Sequence, residues 1–299
     1  SGETVLAQRG LAWSPISGEN IKMALQIAGL PEGQYATLAN GQRIHYLDQG
    51  AGPIVVFLHG SGSGASGHSN FKYNYPYLVD QGFRVIVPDL IGYGYSDKPD
   101  DVQYHLDFFV ECIQQLLAQL DVERCVLIGN SLGGAIAIKY TLDNPACVDK
   151  LVLMAPGGIE EQADYFHMPG MQVMKEVFTS GPMAPERLED FIRRGLVYDD
   201  SIVDQQLINE RWGIFQQQNS QVITSMVVPN MASRLQEIEC PVLAFWGVNE
   251  QMMPETGIQT LAKNCRHIRL TLVSECGHWV MVEHRDMFNR NTADFLRNN

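Results

Sequence analysis

Between the apolar run Cys125-Val126-Leu127-Ile128 and the small-residue run Gly134-Ala135-Ile136-Ala137 stands Gly129-Asn130-Ser131-Leu132-Gly133. Few folds accommodate such a junction. A strand must turn sharply into a helix, so the serine sits on a strained bend. The flanking glycines leave room for crowded backbone, and the Oγ projects from the carboxyl edge of a sheet. The helix that follows brings its positive N-terminal end beneath the serine, where a developing negative oxygen is stabilised.

The rest of the chain agrees with this demand for parallel strands and covering helices. Apolar or β-branched runs at Ile54–Leu58, Phe83–Val87, Leu151–Met154, Val242–Trp246 and Ile268–Val273 read as strands. Helical periodicity occupies Tyr104–Leu120, Leu132–Leu142, Glu255–Ala262 and Glu283–Leu296. Tyr35–Leu38 and Arg43–Leu47, joined through Asn40-Gly41, read as a leading hairpin. The fold class expected is therefore α/β, a mostly parallel sheet flanked by helices. Residues 158–234 break the alternation with helical, Met-rich sequence that includes Met168, Met171, Met174 and Met183. This stretch is expected to be a helical lid inserted into a core made of 31–157 and 235–299, with a purely structural helical layer as the bland alternative. Residues 1–30 match no core element and are expected to form an arm on the surface or on another subunit, which leaves a homo-oligomer open.

Composition narrows the partners. With 45% hydrophobic and 18% charged residues, the chain is that of an ordinary globular protein. No run approaches the roughly 18 apolar residues of a membrane span. A net charge of -13 argues against nucleic acid, and it means that an anionic substrate needs a local cation. The six cysteines form no CxxC pair and no zinc-type spacing, so no metal is expected and a reducing cytoplasm is the default location. Ser1-Gly2 lacks an initiator Met, which leaves open whether a targeting peptide preceded it.

A serine hydroxyl is a weak nucleophile and needs a base, itself oriented by an acid; here the chain order is Ser, then Asp or Glu, then His. His278, in Cys276-Gly277-His278-Trp279 just past the last strand, returns to the edge that carries Ser131. Glu250 is the sole carboxylate between Gly247 and Pro254, and 278 - 250 = 28 residues hold the helix and strand that separate it from His278. No cofactor is needed by such a triad. The loop His59-Gly60-Ser61-Gly62-Ser63-Gly64-Ala65-Ser66-Gly67 also satisfies G-x-G-x-x-G, with Asp89 at a spacing that suits a ribose-binding acid. The polar sequence after Gly67 is not the apolar start of a packed helix, however. The better expectation is that the Gly62 amide pairs with that of Leu132 as an oxyanion hole.

HGSGSGASGHSNF, GNSLGG, MAPGG, NERWGIFQ and CGHWVMVEH together resemble the meta-cleavage-product hydrolases. These α/β-hydrolases split a carbon–carbon bond in the dienoates left by ring opening of catechols. The resemblance runs from about residue 35 to 297. It implies Ser131 as nucleophile or activator of water, His278 as base and tautomerising group, and Glu250 where the family has Asp. It also implies Gly62 as the oxyanion glycine, with Asn70, Asn130, Arg211 and Trp279 around a carboxylate-bearing dienone. Ser63 in place of the usual Pro, His68 where Trp is common, and Val280-Met281-Val282 depart from the pattern. A carboxylesterase or lactonase with the same triad, and a silent hydrolase fold acting as a small-molecule receptor, are the alternatives.

Overall fold

The computed structural model describes residues 30–298, so the arm expected over residues 1–30 lies, but for its last residue, outside the described residues. Among the described residues, eight strands form one sheet: β1 (Gln34–Thr37), β2 (Arg43–Gln49), β3 (Ile54–Leu58), β4 (Arg84–Pro88), β5 (Cys125–Asn130), β6 (Val148–Met154), β7 (Val242–Gly247) and β8 (Ile268–Val273). Their order is β1-β2-β4-β3-β5-β6-β7-β8. The β1–β2 and β2–β4 pairs are antiparallel and every later pair is parallel. The hairpin turns at Gly41, whose φ of 83° is the left-handed conformation that Asn-Gly turns supply.

The central strands are apolar on both faces, and period-2 alternation sorts them into two cores. Val56, Leu58, Leu127, Leu151, Leu153, Ala244 and Trp246 join one cluster, while Val55, Phe57, Val126, Ile128, Val152, Met154 and Phe245 join the other. Twelve of these side chains show no accessible surface at all, among them Val56, Phe57, Leu127 and Phe245, so truncating one such as Phe57 to Ala costs about 3–5 kcal/mol.

Helices cover both faces: α1 (Gly67–Phe71), α2 (Tyr75–Asp80), α3 (Leu106–Gln119) and α4 (Leu132–Asp143) before β6. Between β6 and β7 the regular elements are helices joined by loops, among them α5 (Gln162–Tyr165), α6 (Pro169–Thr179), α7 (Pro185–Phe191), α8 (Gln205–Phe215) and α9 (Gln221–Ser225). After β7 come α10 (Thr256–Asn264), α11 (Val280–Glu283) and α12 (Arg285–Asn298).

Two local outcomes differ from the sequence reading. A helix does start after Gly67. Its capping box, in which Ser66 Oγ takes the Ser69 amide and Ser69 Oγ takes the Ser66 amide, starts the helix without an apolar first turn. The helix expected over Glu283–Leu296 starts instead at Arg285, because the backbone at His284 (φ -123°, ψ 45°) separates it from a short preceding helix, α11, that ends on Glu283. None of the described helices is long and apolar enough to cross a membrane.

Candidate active site

Ser131 sits at the end of β5 with φ 54° and ψ -117°, a conformation that costs a non-glycine residue on the order of 1–3 kcal/mol. The crowding around it accounts for the flanking residue types. A Cβ on Gly129 would lie 2.3 Å from Gly133 O, and one on Gly133 would lie 1.9 Å from Leu58 O. The turn is held from below by the Ser131 amide donating to Met154 O at 3.1 Å and by the Gly157 amide donating to Ser131 O at 2.9 Å. The helical ladder of α4 begins with Ala135 N–H on Ser131 O. The Leu132 amide therefore belongs to the unpaired first turn, where donors are free for an anion.

His278 follows β8 in a tight loop. Its Nδ1–H donates to Glu250 Oε2 at 2.5 Å, and both side chains are almost wholly buried. The other carboxylate oxygen of Glu250 accepts the Met252 amide at 2.5 Å and the Met253 amide at 3.3 Å. The acid is thus fixed by its own loop before it meets the imidazole, which accommodates the methylene by which Glu exceeds Asp. Asp107 and Asp149 pair elsewhere, with Lys139 and Arg124 respectively.

A cavity of about 1170 Å³, counted to its open mouth, receives Ser131 and His278 together with Gly62, Leu132, Asn70, Asn130, Arg211 and Trp279. All the residues proposed from sequence therefore line one space except Glu250, which stands behind His278. Arg211, on α8, is 3% exposed. Its guanidinium donates to Ser63 O at 3.1 Å and Asn70 Oδ1 at 3.0 Å and lies 4.3 Å from the centre of the Trp279 ring. It has no carboxylate partner among the described residues. Neighbouring Glu210 pairs instead with Lys72 at 2.9 Å. Burial pushes the Arg211 pKa down to about 10, partly offset by Glu210, so the group keeps its charge at neutral pH. The 62–64 loop is pressed onto this arginine. A Cβ on Gly64, which has φ 69°, would lie 2.2 Å from Arg211 O.

Sequence reasoning missed several participants. His59, immediately after β3, donates from Nδ1 to Gly60 O at 2.7 Å and accepts the Leu90 amide on Nε2 at 3.0 Å. Burial lowers its pKa, so it is a neutral clamp on the glycine loop. The strand-His-Gly junction was its available signal. Gln162, Tyr165 and Met226 from the β6–β7 segment and Met252 and Met253 from the Glu250 loop also line the cavity. Asp89, the rival ribose acid, is buried and takes the Gly67 amide, the Tyr95 amide and His45 Nδ1, which leaves it no role toward a nucleotide. No His, Cys, Asp or Glu cluster suited to a metal occurs among the described residues.

Comparison with known proteins agrees in fold and family. Residues 53–180 match the family model for the α/β hydrolase fold. The chain is 32% identical over 267 residues to a 2-hydroxy-6-oxo-6-phenylhexa-2,4-dienoate hydrolase of Burkholderia cepacia, covering 86% of this chain and 92% of that one. It is 34% identical over 265 residues to 2-hydroxy-6-oxononadienedioate/2-hydroxy-6-oxononatrienedioate hydrolase 1 of Pseudomonas putida, covering 85% and 91%. Among solved structures, a meta-cleavage product hydrolase from Pseudomonas fluorescens superposes with a TM-score of 0.77 at 26% identity, over 88% of this chain and 97% of that one.

Proposed function

The chain belongs to the meta-cleavage-product hydrolases of the α/β-hydrolase fold, and from that premise we propose that Ser131, His278 and Glu250 cleave a carbon–carbon bond in a 2-hydroxy-6-oxo-dienoate bound through Arg211. The observation that carries this reading is the buried guanidinium of Arg211, charged, facing the cavity and free of any carboxylate among the described residues. A buried charge left unpaired is costly. A substrate carboxylate would complete it through two charge-assisted hydrogen bonds.

The chemistry follows from what a carbon leaving group requires. Hydrolysis at a carbon–carbon bond demands that the departing carbanion be delocalised. In this proposal His278 takes the 2-hydroxyl proton and returns it to carbon 5, giving the 2,6-diketone while Arg211 holds the carboxylate. Ser131, or a water that it activates, then adds to the carbon-6 carbonyl. The Gly62 and Leu132 amides receive the oxyanion, an interaction worth about 3–4 kcal/mol per donor. Breaking the bond between carbons 5 and 6 sends its electron pair through the remaining alkene to the carbon-2 oxygen. A dienolate leaves; where water has added, the distal acyl group departs directly as a carboxylic acid, and where Ser131 has added, a water deprotonated by His278 hydrolyses the acyl-serine ester to release the acid and restore the hydroxyl.

The walls also bear on the distal substituent, on which the relatives' names differ. Arg211 is the one Lys or Arg among the described residues that line the cavity. Phe166, Met171, Met226, Met252 and Met253 supply apolar surface, Gln162 is committed to Met226 O and the Val228 amide, and the Tyr165 hydroxyl accepts the Gly158 amide. This supports an uncharged aryl or alkyl group, as in the 6-phenyl dienoate, over a second carboxylate. Arg211→Ala tests the assignment. It is expected to lower kcat/KM for a dienoate by about 2–5 kcal/mol while hydrolysis of an uncharged p-nitrophenyl ester changes little. Equal losses on both would make Arg211 a structural residue and favour an ordinary esterase.

A further inference from the structure

The imidazole is held from two sides, and one of them is the helical segment between β6 and β7. On the core side, β7 packs so closely that a Cβ on Gly247 would lie 2.2 Å from Gly277 O. On the other side, residues Ile192–Leu196 form a single π-helical turn, closed by the Val197 amide on Ile192 O at 3.2 Å. Such turns free a carbonyl from the regular helical ladder and recur at functional sites. Here the Leu196 carbonyl accepts the backbone N–H of His278 at 2.7 Å, and the Leu196 side chain lines the same cavity as the imidazole.

Glu283 ties the two segments together. One of its oxygens accepts the Gly277 amide at 2.9 Å; the other accepts the Tyr198 amide at 2.8 Å and the Asp199 amide at 3.3 Å. The approach is tight enough that a Cβ on Gly277 would lie 2.6 Å from Leu196 O. A single carboxylate thus bridges the loop that carries His278 and the π-turn segment that walls the cavity, five residues beyond the histidine on α11. Nothing in the triad chemistry uses it.

We propose that Glu283 is a positioning residue, latching the Ile192–Asp199 segment to the Gly277-His278 loop so that the helical layer over the cavity sets the placement of the base. The inference rests on the reading of His278 as that base. Glu283→Gln leaves one acceptor oxygen for two segments, with an NH₂ facing the other set of amides. It is expected to lower kcat about tenfold on a dienoate and on a neutral p-nitrophenyl ester alike, because both use His278. KM and dienoate binding in a Ser131→Ala background are expected to stay within about twofold. In a His278→Ala background the same change is expected to add no further loss, since the effect runs through the imidazole. Glu283→Asp keeps the charge but is one methylene short of serving both segments; it gives the same kcat-only loss should the amide variant not fold. Wild-type kcat in either folded variant, or an undiminished loss in the His278→Ala background, overturns the latch. Full turnover by His278→Ala would remove the base itself, a result distinct from an inert Glu283→Gln beside an inactive His278→Ala.

Discussion

Among the described residues, two buried histidine–carboxylate pairs look alike in isolation. His278 and Glu250 meet at 2.5 Å with side chains 6% and 2% exposed; His45 and Asp89 meet at 2.9 Å with 5% and 3%. What differs is the rest of each residue's surroundings. The Asp89 oxygens also take the amides of Gly67 and Tyr95, and the His45 amide donates to Ser96 Oγ. That pair staples β2, the start of α1 and the turn after β4. The Glu250 oxygens are used by its own loop and by His278, whose ring borders a cavity shared with Ser131. A buried acid–imidazole pair is thus equally good as a structural rivet. The adjoining nucleophile and the space for a substrate are what make one of the two a candidate for chemistry.

The two pairs part most widely through the nucleophile beside one of them. Ser131→Ala is expected to reduce kcat by a factor on the order of 10³ or more with an unchanged melting temperature, and near-normal turnover would end the assignment. Glu250→Gln keeps the hydrogen-bond geometry but cannot stabilise an imidazolium, so kcat is expected to fall by about 10²–10⁴ with little change in stability. The matched change at the other pair, Asp89→Asn, is expected to do the reverse: a stability loss of about 3–5 kcal/mol with kcat of the folded protein within about threefold. Chemical denaturation beside steady-state kinetics reads both quantities, and if both variants lost stability and spared kcat the two pairs would be equivalent.

A smaller effect concerns the cavity walls. A dienoate with a second, distal carboxylate should show kcat/KM lower than its phenyl counterpart by a factor of about 10², since the described lining residues hold no Lys or Arg besides Arg211 to compensate the second desolvated charge. Comparable turnover of the two would show that the distal group reaches solvent. The smallest effect is on acid stability. Burial lowers the His59 pKa below 6.5, so the unfolded chain takes up the proton first. The stability His59 contributes is whole above about pH 6.5 and is lost as pH falls toward its lowered value. A melting temperature that does not decline between pH 7 and pH 5.5 would contradict a neutral His59 clamp.

The elbow was legible because its constraint is local: a strand, a crowded turn and a helix meet within a few residues, and each leaves its own residue types. The parallel strands were legible for the same reason, as two-sided burial writes continuous apolar runs. His278 and Glu250 followed from topology, which returns successive strand ends to one edge. The rest was carried by long-range contacts that leave no periodic trace. The helix at Gly67–Phe71 exists because a capping box and the Asp89 carboxylate receive its first amides, not because its sequence is apolar. Glu283 reads as a surface acid of the last helix until the break at His284 turns it toward Gly277 and Tyr198. Arg211 was reached only through the family resemblance; its lone charge in the cavity becomes a physical argument once Lys72 is seen to hold Glu210.

Carbon–carbon cleavage, and not ester hydrolysis alone, is the activity proposed for this site. The direct measurement follows a synthetic 2-hydroxy-6-oxo-6-phenyl dienoate by the loss of its visible absorbance while quantifying the acid released from the distal acyl group. Bleaching with one equivalent of benzoate per dienoate consumed, abolished in Ser131→Ala, is the predicted result. Rapid turnover of p-nitrophenyl esters beside an unbleached dienoate would contradict it.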